Sequence, residues 1–210
     1  MSLDHLFIEF MHSLCVKFGF ILTPLMRLVS ILGEKAWPCV IISFIMALHK
    51  KRRWVAFTAI LSMFLGYILA DLLLKPMFMR MRPYTVSNLF QDYWALAGSY
   101  KETGYSMPSG HTIGFASFFI SLYITIPKTE RKMIKNIGTI CVVLMIISRC
   151  YFMHHYLTDC IVGIVVALIT SYTSKVIVRF IFNICKKYNE IALFQFILNF
   201  DIVEAFNKNG

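Results

Sequence analysis

Charged residues are scarce in this sequence of 210 residues. They make up only 15% of the chain, against about 25% in typical soluble domains, whereas hydrophobic residues make up 58%. A water-facing globule of this size could not bury so much apolar surface, which argues against a soluble enzyme. Intrinsic disorder is excluded as well, because a disordered chain needs low hydrophobicity. We therefore expect about five or six membrane-spanning helices, since each uses about 20 residues.

The sequence also lacks the features that mark several other classes of protein. Its six cysteines are scattered without a CxxC pair or a metal-ligand spacing, so we expect free thiols and no metal site or other cofactor. No internal repeat or low-complexity stretch is present, which predicts one domain over residues 1–210. The N-terminus has no basic flank and no small-residue cleavage site, so the spanning segments themselves are expected to direct insertion.

Positive charge exceeds negative charge, with 21 Lys and Arg against 11 Asp and Glu. Two basic clusters, residues 50–53 and 128–135, lie in short gaps between apolar runs. Such clusters mark cytoplasmic loops. Nucleic-acid binding is not expected, because it needs a basic face on a soluble fold. Alternation of the spans then places residues 75–109 and 149–158 on the extracytoplasmic face of the cytoplasmic membrane.

The apolar runs define the predicted spans. The clearest is 54–74, in which only Asp71 is charged. The other predicted spans are 37–48, 113–126, 137–148 and 159–184. Residues 1–32 hold Pro24 and Arg27 within an apolar run, which predicts either a first span or a segment lying in the interface. Residues 186–210 are predicted to form a cytoplasmic tail with an amphipathic helix.

The first of three polar clusters follows the span 54–74. Proline comes directly after Lys75 and again after Arg82, which predicts turning, extended backbone at both cations. Asp71 lies four residues before Lys75 and is expected to pair with it. Taken alone, these cations could equally be interfacial charges that meet lipid headgroups.

The second cluster is the run Pro108-Ser109-Gly110-His111, at the predicted start of a span. A helix N-terminus exposes unpaired amide groups and a partial positive charge, and glycine lets an anion approach the backbone. Ser109 is also a favourable N-cap. The plain alternative is a helix cap followed by an interfacial histidine.

The third cluster runs from Ser148 to Asp159 and joins the last two spans. His155 and Asp159 are four residues apart, so at the start of a helix they share a face and the carboxylate can orient the imidazole. His154 is five residues from Asp159 and is predicted to point elsewhere. Arg149 lies six residues before His155, so the chain is expected to turn between them. The alternative is a polar hydrogen bond between helices.

All three clusters fall on one predicted face of the membrane, and a phosphate group would suit them jointly. Fixed cations and N–H donors can bind the phosphate oxygens, and a guanidinium can donate two parallel hydrogen bonds to them. An imidazole oriented by a carboxylate can attack phosphorus, and a second histidine can protonate the leaving oxygen.

These clusters resemble the signature of the type 2 phosphatidic acid phosphatase superfamily, written K-x6-RP, PSGH and SR-x5-H-x3-D. The matching positions are Lys75, Arg82, Pro83, Pro108, Ser109, Gly110, His111, Ser148, Arg149, His155 and Asp159. The resemblance implies an all-α, polytopic membrane bundle of five to six transmembrane helices with the core that these phosphatases share with the haloperoxidases. The apolar composition argues against the soluble haloperoxidase branch.

The resemblance also implies an activity, that of a metal-independent lipid phosphatase. In it His155 attacks phosphorus to form a phosphohistidine, Asp159 orients His155, and His111 protonates the departing alkoxide. The residues implied to bind the phosphate are Lys75, Arg82, Ser109, Gly110 and Arg149. Substrates of the expected class are phosphatidate-like lipids, phosphatidylglycerophosphate and undecaprenyl diphosphate.

Two other functions remain open from the sequence. A head-group phosphotransferase would use the same histidine but pass the phosphoryl group to an alcohol instead of water. A non-enzymatic membrane transport subunit would carry ionisable residues at mid-depth in several spans, whereas here they cluster at one interface.

Overall fold

The chain folds into a bundle of helices. The computed structural model describes residues 2–202, apart from the side chains of residues 196 and 197. The α-helices of this part of the chain are α1 (Leu3–Gly33), α2 (Trp37–Ala47), α3 (Arg53–Ile68), α4 (Lys75–Phe78), α5 (Pro83–Val86), α6 (Asn88–Leu96), α7 (Gly110–Thr125), α8 (Arg131–Tyr151), α9 (Leu157–Lys187) and α10 (Ala192–Asn199). Residues 2–202 contain no β-strand, in agreement with the predicted all-α class.

The long apolar helices agree with the predicted multi-pass arrangement. Segments long and apolar enough to cross a membrane are Leu3–Ala47, Arg53–Val86, Arg131–Tyr151 and Leu157–Lys187. Helix α7 is shorter, with 16 residues, but is also apolar and packs against both α3 and α9. The chain is therefore a multi-pass membrane protein.

Glycines allow the central helices α3, α7 and α9 to approach closely. A Cβ atom added to Gly114 of α7 would stand 2.6 Å from the Tyr67 hydroxyl of α3 and 2.7 Å from the Cβ of Ala36. A Cβ on Gly66 of α3 would stand 2.5 Å from a methyl of Ile113. A larger residue at either glycine would push the helices apart, so these positions fix the distances in the centre of the bundle.

Helix α1 lies across the end of the bundle that carries the three polar clusters. Near its start, Asp4 accepts a hydrogen bond from the Thr158 amide at 3.0 Å. Near its other end, Ser30 accepts a hydrogen bond from Arg149 at 2.6 Å. Both ends therefore contact the segment around the turn between α8 and α9. Such contacts favour the interfacial alternative for residues 1–32, which stays a prediction.

The joint between α1 and α2 is sharp. Lys35 and Ala36 both have left-handed backbone, with φ values of 49° and 50°, and α2 begins directly after them with Pro38 in its first turn. The chain therefore changes direction there instead of continuing as one helix. Helix α2 has only 11 residues.

The backbone around the first cluster is partly as expected. Arg82 is extended, with φ −70° and ψ 148°, as predicted. The prediction for Lys75 is wrong, since its φ of −61° and ψ of −47° are helical. A single π-helical turn, Leu69–Leu74, widens the helix just before Pro76, so the proline ring does not clash with the preceding turn. Between Lys75 and Met107 the chain also forms the short helices α4, α5 and α6.

The C-terminal segment begins after α9, which ends at Lys187. Helix α10 lies within the predicted tail, and the Ile202 amide donates a hydrogen bond of 3.2 Å to the carbonyl of Leu48. The segment therefore returns to the turn between α2 and α3, at the end opposite the polar clusters. Residues 203–210 of the predicted tail lie outside the described residues.

Candidate active site

His155 lies in the turn between α8 and α9 and is only 2% exposed. Its Nδ1 atom is 2.6 Å from the carbonyl oxygen of Ser106. Because a carbonyl oxygen only accepts hydrogen bonds, Nδ1 must carry the proton in the neutral ring, which leaves the lone pair on Nε2. The Nε2 atom is 3.5 Å from Nη1 of Arg82. His155 thus presents an unprotonated nitrogen towards a guanidinium.

Asp159 lies behind His155 and is fully buried. Its Oδ2 atom accepts a hydrogen bond of 2.8 Å from the Tyr156 amide, which caps the start of α9, and is 3.7 Å from Nδ1 of His155. His155 directly precedes Tyr156, the N-cap of α9, so it stands at the start of the last helix without lying in its first turn. The carboxylate therefore acts on the imidazole by its charge, while the carbonyl of Ser106 makes the short hydrogen bond.

Arg80 joins Asp159 to helix α1. Its Nη1 atom is 2.6 Å from Oδ1 of Asp159, and its Nη2 atom is 2.7 Å from Oδ2 of Asp4. The guanidinium also stacks over the ring of Tyr156, at 3.9 Å from the centroid. Thr158 donates to both Asp4 oxygens, at 3.0 Å and 2.7 Å. A continuous network of hydrogen bonds thus runs from the start of α1 to the carboxylate behind His155.

Arg149 is buried at the end of α8, with no exposed surface. It donates to Ser30 at 2.6 Å and to the side chains of Glu102 and His154. Its Nη1 atom is 3.5 Å from Nε2 of His111. Its Nε atom is buried and has no hydrogen-bond partner among residues 2–202. Arg149 therefore links the second and third clusters of the sequence.

Arg82 approaches the same place from the first cluster and is also buried. Its Nη1 atom is 2.6 Å from Oε2 of Glu102. Its other nitrogens donate to backbone carbonyls of the neighbouring loop, at 3.1 Å for Gly104 and 3.0 Å for Thr103. Arg82 thus orders this loop while one nitrogen faces the centre of the cluster.

Glu102 occupies the space between these groups. Its carboxylate bridges Arg82 and Arg149, and its oxygens are 3.2 Å from Nδ1 of His154 and 3.9 Å from Nε2 of His155. Two buried guanidiniums and two imidazoles therefore converge on one carboxylate. Of the residues that the sequence predicted to surround a phosphate, Arg82, Arg149 and His155 take part in this cluster.

His154 lies beside His155 in this pocket, so the prediction that it points elsewhere is wrong. The prediction assumed a helix, but the backbone turns here and Met153 has left-handed backbone with φ 57°. The Nε2 atom of His154 is 2.9 Å from the carbonyl oxygen of Tyr100, which places its proton on Nε2 and lets Nδ1 accept from Arg149.

The second cluster opens α7 as predicted. Ser109 is the N-cap, and its hydroxyl accepts hydrogen bonds from the amide and the hydroxyl of Thr112 at 3.5 Å and 3.1 Å. Gly110 and His111 occupy the first turn, where amide groups have no acceptor within the helix. His111 reaches the pocket through its contact with Arg149.

Lys75 is the predicted site residue that stands apart. Its ammonium pairs with Asp71 at 2.7 Å, which is the i,i+4 pair expected from the sequence. Within the part of the chain that the structure describes, no hydrogen bond or ion pair joins Lys75 to Arg82, Arg149 or His155. Its ammonium keeps two further N–H donors beside the bond to Asp71.

Burial and charge control the protonation of the groups in the turn and the loop. Burial lowers the pKa of His155 to about 4, and the charges of Arg149 and Arg82 act in the same direction. Burial also lowers the pKa of His154. For Glu102, burial alone would raise the pKa, but the charge of Arg149 beside the carboxylate holds it well below its usual range. At neutral pH both imidazoles are therefore neutral and the carboxylate is ionised.

Four residues contribute to the site without a role predicted from the sequence. Ser106 acts through a backbone carbonyl, which leaves no signal in the side-chain pattern. Asp4 and Glu102 come from segments far along the chain, and their positions depend on the fold. Arg80 has no position in the family signature, and its one signal in the sequence is a second cation two residues before Arg82. Residues 2–202 contain no group of three or more His, Cys, Asp or Glu side chains arranged to hold a metal ion.

Comparisons with known proteins agree with this architecture. The model of the PAP2 superfamily matches residues 53–183, which is more than half of the chain. The fold is similar to that of a transmembrane PAP2 type phosphatidylglycerolphosphate phosphatase from Bacillus subtilis, with a TM-score of 0.57 and 22% identity over 82% of this chain and 92% of that one. It is also similar to LpxE from Aquifex aeolicus, with a TM-score of 0.60 and 22% identity over 79% and 92%. No curated protein matches the sequence. The chain therefore belongs to the PAP2 superfamily, which is the type 2 phosphatidic acid phosphatase superfamily that its sequence motifs resemble.

Proposed function

We propose that the chain is a membrane lipid phosphatase that hydrolyses a phosphate monoester or diphosphate of a lipid through a phosphohistidine on His155. One observation carries the proposal. The unprotonated Nε2 atom of His155 faces an anion-binding pocket built by Arg82 and Arg149. Membership of the PAP2 superfamily supports the phosphoric-ester hydrolase class.

The chemistry proceeds in two steps. In the first, Nε2 of His155 forms a bond to phosphorus while the bond from phosphorus to the leaving oxygen breaks, and protonated His111 gives its proton to that oxygen. The leaving oxygen is the alkoxide oxygen of a monoester or the bridging oxygen of a diphosphate. In the second, His111 removes a proton from water, whose oxygen attacks phosphorus and releases inorganic phosphate from His155. Asp159 stabilises the positive charge that develops on the imidazole.

Fixed positive charge stabilises the transition state. Arg82 and Arg149 face the site of the phosphoryl oxygens, and Nε of Arg149 is a buried donor without a partner in residues 2–202. Ser109 and Gly110 add the N-terminus of α7. Lys75 is the weakest of the proposed phosphate ligands, because its ammonium already pairs with Asp71.

The orientation of the protein follows from its charges. The basic clusters at residues 50–53 and 128–135 lie at the end of the bundle opposite the pocket, which supports an active site on the extracytoplasmic face of the cytoplasmic membrane. With α1 in the interface, a lipid phosphate would meet the pocket at headgroup level.

The substrate is a lipid phosphate, for which three candidates remain. Phosphatidylglycerophosphate is the first, because one similar structure is described as a phosphatase of that lipid. Phosphatidate and undecaprenyl diphosphate offer the same terminal phosphate to the pocket and are the alternatives.

The test is release of inorganic phosphate from each of these lipids by purified protein in detergent, compared between the wild type and His155→Ala. We expect the variant to fold but to release no phosphate. His49→Ala, at the opposite end of the bundle, is the matched control and should retain full activity. Turnover by His155→Ala would refute the proposed nucleophile, and transfer to an added alcohol without phosphate release would identify a phosphotransferase.

A further inference from the structure

Helix α1 lies outside the region that matches the family model, yet it reaches the group behind the proposed nucleophile. We propose that Asp4 and Arg80 are positioning residues for the reaction, and that α1 is thereby part of the active site. The inference rests on the proposed role of His155.

The geometry leaves Asp159 little freedom. One of its oxygens accepts from Arg80 at 2.6 Å, and the other accepts from the Tyr156 amide at 2.8 Å. Arg80 is itself held from the opposite side by Asp4 at 2.7 Å. The carboxylate of Asp159 is therefore fixed at 3.7 Å from Nδ1 of His155, where its charge stabilises the imidazolium that forms during attack on phosphorus.

Asp4 also neutralises the network. Arg80 alone would place a positive charge next to Asp159 and weaken its effect on the imidazole. With Asp4 present, Arg80 lies between two carboxylates, so the group of three retains one negative charge. Replacing Asp4 by asparagine preserves its shape but removes that charge.

The test compares Asp4→Asn with Glu9→Gln, a matched neutralisation on the same helix. We expect Asp4→Asn to lower kcat by about tenfold to a hundredfold with KM nearly unchanged, as for other supporting hydrogen-bond partners of reactive groups. Arg80→Lys should act similarly, and the double variant should be little worse than either single one. Glu9→Gln should match the wild type.

Two outcomes would overturn this inference. One is an unchanged kcat in Asp4→Asn, and the other is a loss that appears in KM alone. If Asp4→Asn is poorly folded, Asp4→Glu, which keeps the charge, should restore kcat, and failure to do so would contradict the charge argument. If His155→Ala were active, the proposed function would fail instead, so the two failures are distinguishable.

Glu102 supports a second and independent inference. We infer that its carboxylate is a built-in ligand of the pocket, which a substrate phosphate must displace by moving residues 98–104. This inference also rests on the proposed phosphate pocket. It follows from the position of the carboxylate, within hydrogen-bonding distance of Arg82 and Arg149.

Backbone contacts and two glycines allow residues 98–104 to hold the Glu102 carboxylate between Arg82 and Arg149. Tyr84 holds its backbone, since the Tyr84 hydroxyl donates to the Glu102 carbonyl at 2.7 Å and accepts from the Glu102 amide at 3.2 Å. The segment lies between Gly98 and Gly104, which have left-handed backbone with φ of 64° and 74°. Glycine adopts such conformations without strain, so both ends can act as hinges.

A resident carboxylate lowers the apparent affinity for phosphate, because only the fraction of molecules with an open pocket can bind. We expect Glu102→Gln to bind inorganic phosphate about tenfold more tightly than the wild type. Asp92→Asn neutralises an exposed carboxylate on α6 and is the matched control. The affinity is measured as the stabilisation of the purified protein against heat across a phosphate titration, which does not depend on turnover.

Equal or weaker phosphate binding by Glu102→Gln would overturn the inference. Should the variant fail to fold, hydrogen exchange of the wild type provides a second test. Residues 98–104 should exchange faster when inorganic phosphate is bound, and unchanged or slower exchange would contradict displacement of Glu102. Absence of phosphate binding in every form, including the wild type, would count against the proposed function itself.

Discussion

Replacement of Arg149 by lysine would test the charge geometry of the pocket most directly. Lysine keeps the positive charge beside Glu102, so the variant avoids an uncompensated buried carboxylate. It loses the planar set of five donors, however, and cannot contact Ser30, His154 and a phosphate at once.

The size of the effect follows from the lost hydrogen bonds. A hydrogen bond to a charged group is worth about 1.5–3 kcal/mol. If a bound phosphoryl group accepts two hydrogen bonds from Arg149, their loss raises the barrier by about 3–6 kcal/mol, which corresponds to roughly a 10²- to 10⁴-fold lower kcat/KM. The unpaired Nε atom of Arg149 makes such a pair of contacts available.

The assay is phosphate release from a lipid phosphate and from a soluble monoester. Both substrates should lose activity to a similar extent, because the change lies at the phosphate and not at the lipid chain. Arg179→Lys, an exposed position on α9, is the control. A kcat/KM within about threefold of wild type for Arg149→Lys would refute the bidentate role of this guanidinium.

Two further predictions concern solution conditions. Because burial lowers the pKa of His155 to about 4, the nucleophile stays neutral through mildly acidic pH. The acid limb of the kcat/KM profile should therefore lie near pH 4, after correction for ionisation of the substrate. A limb near pH 6.5 would show a histidine of unperturbed pKa and contradict this expectation. Since Arg82 and Arg149 supply the positive charge, phosphate release should continue in EDTA, and a strict Mg²⁺ requirement would contradict this mechanism.

The spans and the convergence of the three clusters were predictable from the sequence for a physical reason. Apolar runs must cross the bilayer as helices, and alternation of the spans brings residues 75–109 and 149–158 to one face. The predictions for His154 and Lys75 were wrong because the tertiary structure overrides the local backbone preference at these positions. His154 was assigned by helical rotation to a stretch that turns, and Lys75 was taken as extended although a π-helical turn accommodates Pro76.

The remaining parts of the site could not be read from the pattern. Nearly all of α1, and then α2, α3 and α4, separate Asp4 from Arg80 along the chain. Only the placement of α1 across the end of the bundle brings the two side chains together. Ser106 contributes a carbonyl that any residue would supply. Glu102 lies in a loop whose path depends on Tyr84 and two glycines.

The shortness of α2 affects how a lipid would reach the protein. Its 11 residues measure about 16 Å along the helix axis, roughly half of a hydrocarbon layer of about 30 Å. On that flank we expect the bilayer to become thinner, because hydrophobic mismatch is relieved by local deformation. The headgroup of a lipid beside α2 would then lie deeper than in the surrounding bilayer, while its chains stay within the hydrocarbon layer.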